Sequence, residues 1–173
     1  MTLSPEQVQF LAPMFAGMVE REMHTTRRVL AAMPEDQLDF KLGDKGRTAR
    51  ELMWHICTSE AWFGSAIVRG NFDQAEGEPA APATAAEMLA WYDRTVPALV
   101  EQVKGLSAEH LARTAAFFGA FNMSLVLYLP FWNSHTIHHR GQLSTYVRAV
   151  NGHVPDIYGG SADEPFQMPA ASA

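Results

Sequence analysis

The sequence has a single cysteine and no long apolar run, and both features narrow what the protein can be. Cys57 is the one cysteine among 173 residues, which excludes an internal disulfide, a CxxC redox pair and a thiolate-rich metal site. No stretch approaches the roughly 20 apolar residues that a membrane-spanning helix needs. Residues 1–10 also lack the basic flank and apolar block of a signal peptide. We therefore expect a cytoplasmic protein without membrane contact, in which any metal is held by histidine or carboxylate.

Basic residues are too scattered to form a nucleic-acid surface. The formal net charge is -6 at pH 7, and no run of Lys or Arg can follow a phosphate backbone. With 47% hydrophobic and 18% charged residues the composition is that of a globular protein, and the length suffices for one well-buried core. We expect a single domain over residues 1–173, with a small-molecule substrate and no nucleic-acid partner.

Four long amphipathic segments dominate the chain. Apolar residues recur at helical spacing, and capping boxes begin at Thr48 and Thr84. The pattern predicts helices over approximately residues 5–33, 48–69, 84–104 and 124–151, with sites for kinks at Pro13, Pro97 and Pro130. No alternating strand pattern of any length is present. The expected fold is therefore all-α, a four-helix bundle with long connections that permit crossovers between helices.

Two segments lack a clear pattern. Residues 106–123 stay unassigned, because SAEHL is compatible with one helical turn and AAFFGAFNMS with a short extended piece. Residues 156–173 are rich in small residues and proline, so we expect a tail that packs loosely or frays.

Three histidines lie within five positions of the fourth predicted helix, in HTIHHRGQ. At about 100° per residue, His139 lies about 40° from His135, and His138 lies about 60° away in the other direction. Apolar residues of this helix lie between about 20° and 80°, which puts His139 on the buried face, His135 at its edge and His138 outside. His135 and His139 thus form an i, i+4 pair suited to metal binding. Because no Glu follows the first His as in HExxH, the pair does not indicate a zincin.

The second predicted helix supplies a candidate third ligand in ELMWHICTSEAWF. His55 lies on or beside the inward arc that contains Leu52 and Phe63. Three histidine ligands leave coordination positions for water and substrate, which is typical of catalytic sites. Such an ion acts as a Lewis acid or generates hydroxide or thiolate near neutral pH. Hydrogen-bonded core or surface histidines are the alternative interpretation of the same spacing.

Other residues that could carry chemistry have plainer interpretations. The remaining histidines have no paired context, so we expect surface or capping roles for His24, His110 and His153. The tryptophans are expected in the core or at an interface rather than in a ligand cage; they are Trp54, Trp62, Trp91 and Trp132. Cys57 is expected to be a small buried hydrophobe on the side of its helix away from His55.

The order of these motifs resembles the DinB family. HTIHHRGQLSTYVR followed by VPDIYGGSADE is similar to that family's H, three residues, HRGQ, a helical run, VP and a YGPSADE-like tail, and ELMWHI matches its histidine position on helix 2. Gly160 departs from the usual Pro, and Asn151 stands where an apolar residue is common. The resemblance implies a DinB/YfiT-like bundle, often up-down-down-up and commonly a homodimer. It also implies a divalent metal, most often nickel or zinc, on His55, His135 and His139.

The resemblance leaves three activities open. Characterised relatives include thiol transferases and isomerases that use bacillithiol, mycothiol or glutathione, so a thiol-dependent S-transferase with a low-molecular-weight thiol is the first. The alternatives are a metal-dependent hydrolase that uses metal-bound water and a non-catalytic metal- or ligand-binding module. A transferase needs added thiol, a hydrolase needs only water, and a binding module turns over neither. The sequence shows no recognisable thiol pocket, so the first interpretation is an analogy.

Overall fold

The helices of a computed structural model, which describes residues 1–72 and 79–168, follow the predicted segments closely. Within these residues the elements are α1 (Pro5–Ala31), α2 (Ala49–Arg69), α3 (Ala85–Lys104), α4 (Ala108–Ala112), β1 (Thr114–Phe117), β2 (Phe121–Ser124) and α5 (Tyr128–Ala149). Short 3-10 helices occupy Glu35–Gln37 and Leu125–Leu127. No helix in the described part of the chain is both long enough and apolar enough to cross a membrane.

Side-chain caps fix where the long helices begin. Ser4, Thr48 and Thr84 each accept a hydrogen bond from the backbone N–H three residues later, and the side chain at that later position accepts one from the backbone N–H of the capping residue. These reciprocal bonds satisfy N–H groups that have no partner inside the helix. Both internal prolines, Pro13 and Pro97, lie within helices that continue past them.

The four long helices form a bundle in which sequence neighbours are not always spatial neighbours. Helix α1 packs against α3 and α5, and α2 packs against the same two helices. The cyclic order is therefore α1, α3, α2, α5, so the chain crosses the bundle between α1 and α2. Large side chains at its centre are fully buried and include Leu30, Met53, Ile56, Ile67, Tyr92, Tyr128 and Trp132. The predicted helical bundle is confirmed, with a small two-stranded sheet added to it.

The unassigned residues 106–123 form α4 and most of this sheet. Strands β1 and β2 pair antiparallel, with Thr114 opposite Ser124 and Phe117 opposite Phe121. The turn between them contains a left-handed glycine, Gly119, with φ of 71°. Each strand has only four residues, which is too short for the alternation that reveals strands in a sequence. The helical turn and the extended piece that the sequence allowed here are both present, but the pairing of two strands into a hairpin was not predicted.

The last long helix begins later than residue 124. A 3-10 turn covers Leu125–Leu127, and α5 starts at Tyr128. Pro130 then occupies the first turn, where backbone N–H groups have no helical acceptor and a missing N–H costs little.

The C-terminal segment is tied to the bundle as far as Glu164, instead of packing loosely. Its carboxylates meet basic residues of two helices: Glu164 lies 2.5 Å from Arg28, and Asp163 lies 2.7 Å from Arg148. Glu164 also accepts a hydrogen bond from the Asp156 backbone N–H at 2.8 Å. The composition of the segment could not predict these contacts, because the partners of its acidic residues are distant in sequence. The rest of the expected loose tail, residues 169–173, lies outside the described residues.

Candidate metal centre

The packing of α2 against α5 brings the three predicted metal ligands together. One ring nitrogen from each of His55, His135 and His139 lies within 4.8 Å of the other two. The Nε2 atoms of His55 and His139 are 3.2 Å apart. Two nitrogens that bind one zinc ion tetrahedrally at about 2.0–2.1 Å lie about 3.3 Å from each other. The spacing therefore suits one divalent ion held by this group.

The environment of the group keeps imidazoles in the form that binds a metal. Burial, together with the neighbouring His139 and His55, lowers the pKa of His135 to about 4. Burial also lowers the pKa of His139. Both rings are therefore neutral at pH 7, as metal coordination requires. The Nδ1 atom of His135 is buried without a hydrogen-bond partner among the described residues, which is uncommon for a buried polar atom in a folded protein.

His139 is held in a defined orientation by Gln142. The two residues are three positions apart on α5, and Nδ1–H of His139 donates to Oε1 of Gln142 at 2.8 Å. This bond places the proton on Nδ1 and leaves the lone pair on Nε2, as is common for metal-binding histidines. Gln142 was not among the predicted site residues, although its i, i+3 spacing after a candidate ligand was a usable signal.

The other histidines lie where the sequence predicted. His138 is exposed on α5 and is not part of the three-histidine group, although its ring centroid is 4.8 Å from that of His139. His24 is exposed. His110 contacts the Ile67 carbonyl at 2.9 Å, at the C-terminal end of α2, and His153 pairs with Glu164 at 3.0 Å. The expected surface and capping roles are confirmed.

Two different surroundings flank the three-histidine group. On one flank the ring of His135 packs on the buried Phe63, with centroids 5.4 Å apart, and Phe131 packs edge-on against Phe63. On the other flank His139 borders a cavity of about 420 Å³. Its lining consists of Leu42, Lys45, Gly46, Arg47, Leu52, His139, Gln142, Thr145 and Tyr146. A small molecule can therefore approach the group from the side of His139.

The loop that forms the far wall of this cavity, residues 41–47 before α2, is anchored to α5. The Tyr146 hydroxyl donates to the Arg47 carbonyl at 2.9 Å, and the ring of Phe40 packs edge-on against Tyr146. A Cβ on Gly46 would lie 2.7 Å from the Leu42 carbonyl oxygen and 2.9 Å from the Tyr146 hydroxyl. Only glycine allows this close approach, so the loop has a fixed position relative to His139.

Two buried ionisable residues in the bundle interior were not predicted from the sequence. Glu60 is 1% exposed, and each of its carboxyl oxygens lies 3.1 Å from the Tyr92 hydroxyl. Burial raises its pKa to about 8, so the carboxyl group is protonated at neutral pH. Arg140 is also 1% exposed and pairs with Glu22 at 2.5 Å. Periodicity could not find them, because it treats charged residues as exterior.

Cys57 and the tryptophans behave as ordinary core residues. Burial raises the pKa of the Cys57 thiol well above its usual value, so it stays protonated and is a poor metal ligand. Trp54 and Trp132 are buried, and Trp91 packs on Trp54 with centroids 4.9 Å apart. Trp62 packs on Phe72 at 5.5 Å. These expectations are confirmed.

The fold and the site together define a class of candidate metal-binding proteins. Its features are a helical bundle, three inward histidines on two adjacent helices, and an open cavity beside them. The chain belongs to the DinB family, whose pattern matches residues 10–167. It is 29% identical over 133 residues to the uncharacterized protein YjoA of Bacillus subtilis strain 168. This alignment covers 75% of this chain and 84% of YjoA. It is 26% identical over 149 residues to the uncharacterized protein YrdA of the same strain, covering 84% of this chain and 86% of YrdA.

Solved structures share the fold. A DinB-like protein from Bacillus cereus ATCC 10987 superposes with a TM-score of 0.72 at 23% identity, covering 83% of this chain and 95% of that one. The crystal structure of the DinB-like protein YjoA from Bacillus subtilis superposes with a TM-score of 0.66 at 22% identity, covering 88% of this chain and 96% of that one. At this level of identity the likeness establishes the helical fold alone.

Proposed function

We propose that His55, His135 and His139 bind one divalent ion, zinc or nickel, at an open site that a small-molecule substrate reaches through the cavity beside His139. The observation that carries this proposal is the convergence of three ligand nitrogens within 4.8 Å next to that cavity. Three protein ligands leave coordination positions for other molecules, which distinguishes a catalytic from a structural site.

We propose further that the reaction is a thiol-dependent S-transfer. The ion supplies Lewis acidity, which lowers the pKa of a bound thiol or water. The thiol must come from a low-molecular-weight cosubstrate, because Cys57 is buried and protonated. The cavity lining in the described part of the chain contains no Asp or Glu, so no carboxylate there can take a proton from water. This favours a thiol, which is far more acidic than water, and it agrees with the DinB resemblance.

The chain's own residues have defined tasks in this proposal. Gln142 holds the ring of His139 through its Nδ1–H, so that Nε2 faces the group. The packing of Phe63 on His135 keeps water from that flank, so the nucleophile and the second substrate meet on the side of His139.

The experiment compares metal-loaded and metal-free protein with an electrophile, 1-chloro-2,4-dinitrobenzene, and a panel of thiols that includes glutathione. In the reaction the thiol sulfur bonds to the ring carbon, chloride leaves and the thiol proton passes to buffer. We expect product only with both metal and thiol. His55→Ala should abolish it, whereas the exposed neighbour His138→Ala should retain it. Hydrolysis of a p-nitrophenyl ester without thiol would identify a hydrolase instead, and absence of both activities would favour a binding module.

The DinB resemblance also supports a proposed homodimer in the cytoplasm. The hairpin and the adjoining start of α5 expose aromatic side chains that suit an interface, namely Phe118, Phe121 and Phe131.

A further inference from the structure

Two cationic side chains on the anchored loop line the cavity beside His139. Lys45 and Arg47 are both exposed, and in the described part of the chain neither side chain makes a hydrogen bond or an ion pair. Six other basic residues are each paired with a carboxylate, namely Arg27, Arg28, Arg50, Lys104, Arg140 and Arg148. The protein as a whole carries a formal charge of -6, whereas the charged side chains in the described lining of this cavity are both positive, so the cavity differs in sign from the protein as a whole.

No carboxylate in the described part of the chain forms an ion pair with Lys45 or Arg47. The described lining of the cavity holds no Asp or Glu. The charge of Arg47 does reach Glu51 and helps to lower its pKa, but the Glu51 carboxylate is occupied as the cap of α2, where it accepts from the Thr48 N–H at 2.7 Å. The two cations are therefore available to a ligand.

The hydrogen bond to Tyr146 fixes the backbone that carries the two cations relative to α5 and its histidines. One face of α5 carries His139, Gln142 and Tyr146 at positions i, i+3 and i+7. The Tyr146 hydroxyl donates to the Arg47 carbonyl and so connects the loop to this face. Seven residues of helix span about 10 Å, which is the length of one small molecule.

We propose that Lys45 and Arg47 bind the anionic group of the substrate, a carboxylate or a phosphate, while the reacting atom lies near the three histidines. Arginine presents two parallel N–H donors to either anion, and lysine adds a point charge. Gln142 contributes its NH₂ group, because its carbonyl oxygen already accepts from His139. The orientation of the substrate rests on the proposed metal function, but the anion site consists of residues outside the ligand set.

The test is anion binding by metal-free protein, measured by isothermal titration calorimetry with succinate and with succinamide, its uncharged analogue of similar size. Using metal-free protein excludes direct coordination of the probe. We expect succinate to bind at least about tenfold more tightly than succinamide, and more weakly as salt increases. Inorganic phosphate forms a second arm: tighter binding than succinate assigns a phosphate-bearing substrate, and weaker binding assigns a carboxylate.

Lys45→Gln and Arg47→Gln should each weaken binding of the preferred anion, and the double variant should lose about tenfold or more. Lys41→Gln is the matched control, because it removes the same charge from the same loop but does not line the cavity. Equal binding of succinate and succinamide, undetectable binding of both anions, or an equal loss in the control would overturn the proposal. Unchanged thermal unfolding of each variant shows that the loop is intact. Anion binding by a protein that fails to bind metal would refute the proposed function and leave this inference standing.

Discussion

Replacing Glu60 by Gln should change how the stability of the protein depends on pH. The pKa of Glu60 is raised from an ordinary 4.5 to about 8, mainly by burial and to a smaller extent by Glu22, while Tyr92 and Arg140 act in the opposite direction. The folded protein therefore keeps the proton up to about pH 8, whereas the unfolded chain releases it near pH 4.5. Between these values the folded state binds more protons, so this group makes the free energy of unfolding fall as pH rises.

The size of the effect follows from the shift. One pKa unit corresponds to about 1.4 kcal/mol, so the fall between about pH 5 and pH 7.5 is on the order of 3 kcal/mol. Glutamine keeps the shape of the protonated acid but cannot ionise. Relative to the unmodified protein, Glu60→Gln should therefore become more stable as pH rises through this window, by the same amount.

Urea unfolding followed by circular dichroism at several pH values measures this difference. The difference between the free energies of unfolding of the two proteins cancels the titrations that they share, including those of the histidines. Asp44→Asn, at an exposed position, serves as the control and should show no pH-dependent difference. A difference between Glu60→Gln and the unmodified protein that is constant from pH 5 to pH 7.5 would mean that Glu60 is already ionised in the fold, and the reasoning would fail.

Three further predictions concern the loop, the buried ion pair and the assembly. Gly46→Ala should cost about 1–3 kcal/mol, because the new Cβ would meet Leu42 and Tyr146 within 2.9 Å; an unchanged midpoint of thermal unfolding would contradict this. Arg140→Met should cost about 3–5 kcal/mol in urea unfolding, because it leaves Glu22 without its buried partner; a loss below about 1 kcal/mol would show that the pair is not needed. Light scattering should give a dimer, and a monomer at micromolar concentration would refute the proposed assembly.

Local signals in the sequence were sufficient to predict the long helices. The capping boxes at Thr48 and Thr84 sit one residue before the observed helix starts, because a cap depends only on residues three positions apart. The hairpin at residues 114–124 was not predictable in the same way, since its four-residue strands are stabilised by packing on distant aromatics. Phe117, for example, packs on Phe72 and Tyr128.

The candidate site was predictable only in part. Helical phase separated His139 from His138, because adjacent residues of a regular helix lie about 100° apart and only His138 is exposed. The cavity beside His139 was not foreseen: Lys45 and Arg47 come from a loop before α2, and only the contact of that loop with Tyr146 brings them to α5. Such pairings join segments about a hundred residues apart, and no local pattern in the sequence indicates them.

The metal content of four histidine variants tests the central claim most directly. The purified protein should carry about one zinc or nickel ion per chain, and His55→Ala, His135→Ala and His139→Ala should each lose it. His138→Ala should keep it, because its side chain is exposed and outside the group. Loss of a hydrogen-bond partner of a ligand typically costs about 10 to 100-fold in affinity, and loss of a ligand should cost more. Loss of metal in His138→Ala with retention in His139→Ala would contradict the account. So would a metal-free protein that gains no thermal stability from added zinc or nickel.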